Sequence, residues 1–446
     1  MPRVGPTPNA RCPSGAIRLR PGRKIQPVID AKPEGTTFCF ETGTYRLRSA
    51  LVPKSEDVFV GKRGAVLKGS KVVNDWTKDG SYWRATGQRQ EGEVITGVPC
   101  KSGIECNRPE GVFIDDKPLL QVSSLSAVRH DRFFFDYPND TIYMADDPTG
   151  HRVEASVSPG AFRTTDSFAK GVVIKNLVIE MFANPSRTGA IWDTTSPGWV
   201  IKNNEITLNH GIGIIHQSHA RIVRNDINHN GQLGLAGYQS VGALVSRNEI
   251  AWNAIGGFAG EEAGGAKYVQ TTDLTVRGNY VHDNQHHGLW TDGDNVGTVY
   301  ENNTVVHNKG SGIFHEISFD CIIRGNRIAR NGMDGIFISS SSNVEAYNNI
   351  IKGNGTGGVH LFLDEGRGYE LANNFIHDNV ISMPKGSFTG LTTLNPDPAP
   401  YSANNRFQDD AYVVSDVDGR YWAWDGAMQT WNGWQAAGQD TNGSVS

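Results

Sequence analysis

Two segments of the sequence share a pattern that places a carboxylate at the same point of each. The segments "GLWTDGDN" (288–295) and "GIFHEISFD" (312–320) both run glycine, apolar, aromatic, polar, carboxylate, which aligns Asp292 with Glu316. In neighbouring parallel strands, residues so aligned are about 4.8 Å apart. Two carboxyl groups about 5 Å apart are what a retaining glycosidase uses to attack a sugar and to protonate its leaving oxygen.

The pair is predicted to be catalytic, with Asp292 and Glu316 in different protonation states. Crowding of like charges in a partly apolar setting raises the pKa of one carboxyl group, while the other stays ionised as the nucleophile. If the residue after glycine points into the core, alternation sends the second and fourth residues outward. Trp290, Phe314 and Phe337 are then predicted to form an exposed aromatic strip, and Trp290 and Phe314 to contact the sugar.

Four further polar residues are candidates for substrate contacts: Glu261, Asp294, His287 and His315. Glu261 occupies the carboxylate position of "GFAGE", and Asp294 points the same way as Asp292 on an ideal strand, which makes it the alternative nucleophile. A single outward carboxylate is also often an ordinary solvated residue. His287 lies at the corner before the strip, where substrate contact and simple exposure are both open. His315 is expected to be a core-directed structural residue that could still orient the neighbouring acid.

Stacked carboxylates have a second use in proteins. Hard cations take several carboxylate oxygens, so Ca²⁺ binding by the acids is kept as an alternative. No other metal and no organic cofactor is predicted.

A repeat organises the chain around these segments. An Ile/Val-x-x-Asn-x-apolar unit recurs in copies such as "IKNNEI" (201–206) and "IRGNRI" (323–328). Its asparagines, at steps of 21 to 31 residues, are Asn204, Asn225, Asn248, Asn279, Asn303, Asn326, Asn349 and Asn374. Short β-branched strands with Asn and Gly corners at this period are typical of a right-handed parallel β-helix, a solenoid of the pectin-lyase type whose stacked coils share one core. The asparagines are predicted to stack as an amide ladder at one corner and to adopt the left-handed conformation.

The predicted class is all-β, with four regions along the chain. Residues 1–70 are expected to form an N-terminal cap with the opening coils. Residues 71–160 lose the period and show hairpin turns, which predicts an inserted, sandwich-like antiparallel β-module. Residues 161–395 form the catalytic β-helix and residues 396–446 a C-terminal cap. The tryptophan-rich segment 419–440 is expected to cover the last coil, with a carbohydrate-stacking surface as the alternative.

Composition limits the partners and the compartment. The 446 residues carry a net charge of −5 with both signs mixed along the chain, so neither nucleic acid nor a membrane is an expected partner. No apolar run reaches the length of a membrane span. Cys12–Cys39 and Cys100–Cys106 are predicted to be disulfides, which implies a secreted protein whose signal peptide was removed. Cys321 is expected to be an inert core thiol, and the sequence does not indicate an oligomeric state.

The segment "GLWTDGDNVGTVYENNTVVHNKGSGIFHEIS" (288–318) resembles the catalytic region of the glycoside hydrolase family 120 β-xylosidases, and residues 112–156 resemble the β-sandwich inserted in that family. The resemblance implies a right-handed β-helix in which the Asp of a Trp-x-Asp setting is the nucleophile and a Glu one coil later is the acid/base. Carried over, these roles fall to Asp292 and Glu316. The opening "GTTFCFETGTYRL" and the ending "WQAAGQD" are more similar to secreted bacterial β-helix repeat proteins, so xylose is implied by the family and not by these residues.

The sequence therefore predicts a secreted retaining glycosidase that acts on short oligosaccharides or chain ends, and two alternatives stay open. A polysaccharide lyase or uronate epimerase needs a base and cations that neutralise the substrate carboxylate. The predicted face offers acids, with Lys267, His286 and His287 nearby only through a loop. A non-enzymatic glycan-binding β-helix needs no acids, and it predicts that Asp292 and Glu316 can be replaced without loss of function.

Overall fold

The computed structural model describes residues 3–164 and 168–446, apart from the side chain of Glu261. The chain divides into two compact units. The first unit contains the residues up to His216 together with Arg224–Leu235 and Asn253–Ala263, and the second contains Gln217–Val223, Ala236–Trp252 and Gly264–Ser446. Apart from an antiparallel module inserted in the first unit, both consist of short parallel strands in successive coils, and the predicted right-handed parallel β-helix is confirmed.

The first unit opens with a short helix among five strands. These elements are β1 (Ile17–Leu19), α1 (Gln26–Asp30), β2 (Thr37–Phe40), β3 (Gly43–Arg46), β4 (Val58–Gly61) and β5 (Ala65–Lys68). The predicted disulfide Cys12–Cys39 is present and ties the N-terminal segment to β2.

An inserted module follows, built on one eight-stranded sheet in the order β6-β13-β9-β10-β11-β12-β8-β7. Its strands are β6 (Ser70–Val72), β7 (Thr77–Asp79), β8 (Tyr82–Ala85), β9 (Val112–Ile114), β10 (Lys117–Gln121), β11 (Arg132–Asp136), β12 (Thr141–Met144) and β13 (Val153–Ser156), with 3₁₀ turns at Leu125–Ala127 and Tyr137–Asn139. The pairs are antiparallel except for β10 with β11, which is parallel. The module has its own apolar core, which includes Phe133, Phe135 and Met144, and the disulfide Cys100–Cys106 is confirmed.

The coils after the module contain strands of three to six residues, with a two-residue strand at the start. They are β14 (Phe162–Arg163), β15 (Val173–Lys175), β16 (Val178–Glu180), β17 (Gly189–Trp192), β18 (Val200–Lys202), β19 (Glu205–Thr207), β20 (Ile212–His216), β21 (Arg221–Val223), β22 (Asp226–Asn228), β23 (Leu233–Tyr238), β24 (Leu244–Ser246) and β25 (Glu249–Ala251), followed by a 3₁₀ turn at Gly260–Glu262. In the first unit, parallel sheets run β1-β2-β4-β15-β18, β3-β5-β16-β19-β22 and β14-β17-β20.

The second unit continues the same pattern to the end of the chain. Its further elements are β26 (Gly264–Val269), β27 (Thr275–Arg277), β28 (Tyr280–His282), β29 (His287–Asp292), β30 (Val299–Glu301), β31 (Thr304–Val306), β32 (Ile313–Glu316), β33 (Phe319–Arg324), β34 (Arg327–Ala329), β35 (Asp334–Ser339), β36 (Ser342–Tyr347), β37 (Ile350–Lys352), β38 (Gly357–Leu363), a 3₁₀ turn at Glu365–Arg367, β39 (Phe375–His377), β40 (Val380–Ser382), β41 (Phe388–Thr393), α2 (Ala399–Ser402), β42 (Arg406–Gln408), β43 (Ala411–Val413), β44 (Trp422–Trp424), β45 (Ala427–Gln429), α3 (Trp431–Ala436) and β46 (Ser444–Val445).

Three parallel sheets make up the second unit. Two run β21-β24-β27-β30-β33-β36-β39-β42 and β25-β28-β31-β34-β37-β40-β43-β46. The third, called the site sheet below, runs β26-β29-β32-β35-β38-β41-β44. Apolar side chains stack in register inside the coils, as Leu289, Ile313 and Ile336 do with no exposed surface. The glycine that begins each copy allows close packing here, because a Cβ on Gly312 would lie 2.8 Å from the carbonyl oxygen of Gly335.

The predicted asparagine ladder is present, and its details differ from the prediction in two ways. Asn303 accepts from the backbone N–H and the amide of Asn279, and its own amide donates to Asn326. The left-handed conformation belongs to the residue before each ladder asparagine, such as Asn302 with φ 54°, because that residue turns the corner and the asparagine then points inward. A second ladder, which the repeat did not predict, is formed by Asn284, Asn308, Asn331 and Asn354.

Tryptophans close the C-terminal end of the second unit. Trp422 and Trp434 have no exposed surface, and Trp424 is 6% exposed. Trp434 packs edge-on against Phe407 of β42, with ring centroids 5.0 Å apart. The alternative of a carbohydrate-stacking surface is therefore wrong for these three indoles, since no ring face is free.

Candidate active site

The strand register of the site sheet places Asp292 opposite Glu316 and Trp290 opposite Phe314, as the spacing of the two segments predicts. Side chains alternate along these strands. Thr291 is fully buried inside the coil, where its hydroxyl lies 2.7 Å from a ring nitrogen of the next coil's histidine. The two carboxyl groups therefore lie on the opposite, outer face of the sheet, one strand spacing apart.

Glu316 is buried and has one hydrogen-bond donor and one ion-pair partner. Only 5% of the residue is exposed. The indole N–H of Trp290 donates to its Oε2 over 3.1 Å, and the Nη1 of Arg367 forms an ion pair with its Oε1 at 2.7 Å. Burial, together with the negative charge of Asp292, raises the pKa of Glu316 to about 7, although Arg367, Trp290 and Lys267 oppose the shift. Glu316 can therefore both donate and accept a proton near neutral pH.

Asp292 has different surroundings. Its Oδ2 lies 2.8 Å from the ammonium nitrogen of Lys267, and 24% of its side chain is exposed. Lys267 is itself 6% exposed and lies opposite Trp290 in the register, with its ammonium 3.7 Å from the centroid of the indole ring. The two acids therefore differ in their surroundings: Asp292 is partly exposed beside an ammonium group, and Glu316 is buried.

The position of Lys267 shows that its coil was aligned wrongly in the sequence interpretation. The strand that pairs with β29 is β26 (Gly264–Val269), and not the segment from residue 257 that was aligned by its glycine. Lys267 therefore belongs to the face itself and not to a projecting loop. Glu261, predicted to be in the carboxylate column, lies in the 3₁₀ turn Gly260–Glu262. Its side chain is outside the part of the chain that the structure describes.

Arg367 is a residue of this site that the sequence did not predict. It ends the 3₁₀ turn Glu365–Arg367, in the connection that follows β38, and its Nε donates to Asp364 over 3.1 Å. The same connection carries Tyr369, whose hydroxyl donates to Asp294 over 3.1 Å. The connection thus reaches both Glu316 and the turn after Asp292.

The predicted exposed aromatic strip is wrong for its first two members. Trp290 and Phe314 are 2% and 7% exposed. Their rings stack on each other with centroids 5.4 Å apart, and the ring of His287 packs against both, at 5.3 and 4.9 Å. Rings one strand spacing apart cover each other, so an outward position on a stacked sheet does not imply exposure. Phe337 retains partial exposure.

The two histidines differ in orientation. His315 is fully buried inside the coil, which confirms the expected core-directed structural position and rules out His315 as a substrate contact. Burial lowers the pKa of His315 to about 3. His287 belongs to β29 and not to the corner, and its Nδ1 accepts from the backbone N–H of Ser311 over 3.0 Å. Burial lowers the pKa of His287 well below its usual range. The neutral ring then carries its proton on Nε2, a donor beside the aromatic rings.

Asp294 does not point the same way as Asp292. Strand β29 ends at Asp292, and the next two residues turn through the left-handed region, with φ 69° at Gly293 and 54° at Asp294. Asp294 is exposed and accepts from Tyr369. The expectation of a common direction assumed an ideal strand, and the turn removes it.

Each of the paired carboxylates has a cationic partner, Lys267 at 2.8 Å from Asp292 and Arg367 at 2.7 Å from Glu316. Within the described ranges, one group of three ligand-type side chains is close enough to hold a metal ion, namely His130, Asp131 and Asp146 of the module. This group is distant in sequence from the paired acids and is largely exposed. No helix among the described residues is long and apolar enough to cross a membrane.

Comparison with known proteins supports the architecture. The family model described as a right-handed beta helix region matches residues 188–321, and that of the periplasmic copper-binding protein NosD matches residues 258–388. No curated protein sequence matches the chain. Among solved structures, the complex of XylC with xylose is similar with a TM-score of 0.72 and 16% identity over 94% of this chain and 82% of that one. The A-module of the Azotobacter vinelandii mannuronan C-5 epimerase AlgE6 is similar with a TM-score of 0.52 and 12% identity over 95% and 93%. At these identities the likeness shows a shared right-handed β-helix, the fold that the sequence resemblance implied.

Proposed function

We propose that the chain is a retaining glycoside hydrolase of the β-xylosidase type, acting on short oligosaccharides or chain ends. Asp292 is the nucleophile and Glu316 the acid/base. The observation that carries this proposal is a pair of carboxyl groups in register with unlike surroundings. Asp292 has an ammonium group at 2.8 Å, whereas Glu316 is buried with a pKa of about 7. A carboxylate beside a protonated carboxyl group is what a double displacement requires.

The reaction would proceed in two balanced steps. In the first, the proton of Glu316 moves to the glycosidic oxygen as the bond to the anomeric carbon breaks, and a carboxylate oxygen of Asp292 forms a bond to that carbon. In the second, the carboxylate of Glu316 removes a proton from water, the water oxygen attacks the anomeric carbon, and the ester to Asp292 breaks. Arg367 and Trp290 hold the ionised form of Glu316 between the two steps.

Xylosides are the first substrates to examine. The similar structure of XylC contains xylose, and the sequence segment around the pair resembles family 120. The assay is product release from aryl xylosides, arabinofuranosides and other aryl glycosides, by wild type and by Asp292→Asn and Glu316→Gln. We expect each variant to lose about 10²- to 10⁴-fold in kcat/KM on the substrate that wild type cleaves.

Two further measurements define the roles. A 2-deoxy-2-fluoro glycoside of the preferred sugar should leave an ester that peptide mass spectrometry locates on Asp292. Asp294→Asn is the matched control, because it removes a nearby exposed carboxylate that lies outside the register. A label on Asp294, or full activity of Asp292→Asn, would refute the assignment.

A uronate epimerase or polysaccharide lyase is the second candidate. Two cations, Lys267 and Arg367, lie at the site, and such enzymes need cations to neutralise a substrate carboxylate. Both are already paired with protein carboxylates, at 2.8 and 2.7 Å, which favours hydrolysis. Incubation with uronate polymers, followed by ultraviolet absorbance of an unsaturated product and by NMR of the sugar configuration, tests this candidate directly.

The two disulfide bonds indicate the compartment in which the protein acts. Two disulfide bonds are typical of proteins in the cell exterior or the periplasm, where thiols are oxidised. We propose that the protein is secreted and meets its glycan substrate there. Reaction of the native protein with a thiol reagent should modify none of the four paired cysteines until a reductant is added.

A further inference from the structure

The two outward rows of the site sheet continue past Glu316. Glu316 lies opposite Ser339 and Ser339 opposite Phe362, while Phe314 lies opposite Phe337 and Phe337 opposite His360. Phe337, His360 and Phe362 are partly exposed, unlike the rings nearer to Asp292. These three residues are called the aromatic patch below.

The patch is a firmly held surface. The ring of Phe337 lies 5.0 Å from that of His360 and 6.0 Å from that of Phe362. The Nε2 of His360 is 2.8 Å from the hydroxyl of Thr392, and its Nδ1 is 3.7 Å from the buried carboxylate of Asp334. Because polar groups lie at both ring nitrogens, the orientation of His360 is defined before any ligand binds.

The position of the patch relative to the two acids gives it a role. In a double displacement the nucleophile bonds to the anomeric carbon, and the acid/base protonates the oxygen of the leaving group. The leaving group therefore lies on the side of the acid/base. Beyond Glu316 the site sheet presents Ser339, with Phe337 beside it, and then Phe362 with His360. Beyond Asp292 the next strand presents Val269 and Lys267.

We propose that the aromatic patch binds the leaving sugar of an oligosaccharide substrate, an inference that rests on the proposed function. An aromatic face suits the apolar C–H face of a sugar ring, while polar atoms at its edge accept or donate to hydroxyl groups. Phe362 is the residue whose ring lies in the same row as Glu316, two strand spacings or about 10 Å further on. The part of the site that binds the leaving group is thus suited to a neutral sugar and not to a small alcohol.

The test compares two substrates that share the transferred sugar. One is the glycosyl fluoride, which has no leaving sugar, and the other is the matching disaccharide. For Phe362→Ala we expect the ratio of kcat/KM for the disaccharide to kcat/KM for the fluoride to fall about tenfold relative to wild type. Phe337→Ala should shift the ratio in the same direction, and Phe362→Tyr should restore most of it.

The control is Phe375→Ala, because Phe375 is also a partly exposed ring stacked on a histidine but belongs to another sheet of the second unit. It should leave the ratio unchanged. Equal losses on both substrates, or no loss on either, would overturn the assignment. Absence of turnover of both substrates by folded wild type would instead refute the proposed function and this assignment with it.

Discussion

Substitution of the buried acid should make the protein more stable at alkaline pH. A pKa of Glu316 raised from 4.5 to about 7 corresponds to about 3 kcal/mol of differential free energy between its two protonation states. The side chain is only 7% exposed, so solvent screening does not reduce this figure much. Glu316→Gln replaces the carboxyl group by a neutral group of similar shape.

The sign of this pH effect on stability follows from the number of protons bound in the folded and unfolded states. Between pH 4.5 and about 7 the folded protein keeps the proton on Glu316, whereas the unfolded chain releases it. The unfolded state then binds fewer protons, so wild type loses stability as the pH rises through this window and stays at the lower level above it. The free energy of unfolding of Glu316→Gln should match that of wild type near pH 4 and exceed it by about 3 kcal/mol near pH 8.

Guanidinium unfolding followed by circular dichroism, at several pH values, measures the difference. Hydrogen exchange of the peptide that contains β32 adds a local reading, because stability in a stacked solenoid varies along its length. Glu370→Gln, which removes an exposed carboxylate of the same unit but keeps Glu316, is the control, and its free energy of unfolding should follow the pH dependence of wild type. A difference between Glu316→Gln and wild type that stays constant from acid to alkaline pH would refute the reasoning.

Three other substitutions test the surrounding fold and site. Burial, together with the charge of Asp440, raises the pKa of Asp410 well above its usual range, and Oδ2 of Asp410 has no partner. Asp410→Asn should therefore raise the free energy of unfolding by about 1–3 kcal/mol at neutral pH and by less in acid, measured by thermal unfolding at both. Asn303→Ala leaves two buried donors unpaired and should cost about 2–4 kcal/mol in guanidinium unfolding. Lys267→Met removes the cation from Asp292 and should lower kcat/KM on the preferred glycoside by about 10- to 100-fold, with partial recovery in Lys267→Arg.

The coil architecture could be predicted because its determinants are local and repeated. Each ladder asparagine satisfies buried backbone groups of the neighbouring coils, as Asn326 does by donating to the carbonyl oxygen of Tyr300. A requirement repeated at every turn appears in the sequence as a period. The left-handed conformation was predicted one residue too late, because the repeat shows which side chain recurs and not the backbone angles. The left-handed residue before Asn326 is Gly325, with φ 63°.

The paired acids could also be predicted, because they lie at a repeated position of the coils. The place of Lys267 on the outer face of the site sheet was missed. Its coil contains an insertion between the preceding asparagine and the strand, so counting forward from Asn248 reaches the segment at 257. Counting backward from Asn279 reaches Gly265, 14 residues earlier, much as Gly288 precedes Asn303 by 15. The second count would have put Lys267 beside Trp290.

Arg367 could not be found by either count. It lies in a 3₁₀ turn outside the repeat, and its contact with Glu316 depends on how the connection after β38 folds back. A sequence period contains no information on a segment that does not repeat. The same holds for the burial of Trp290, which results from stacked neighbours and not from its own place in the pattern.

The cations that the sequence did not place at the site allow Glu316 both to release and to take up a proton. Burial and the charge of Asp292 favour the protonated form of Glu316, and without opposition they would keep the proton on it throughout. Arg367, Trp290 and Lys267 act in the other direction, and the balance leaves the pKa of Glu316 at about 7. A group that must release a proton in one step and take one from water in the next works best when its pKa is near the ambient pH. Two acids at the same point of successive coils supply the reactants, and the flanking cations set the proton affinity that lets one of them act twice.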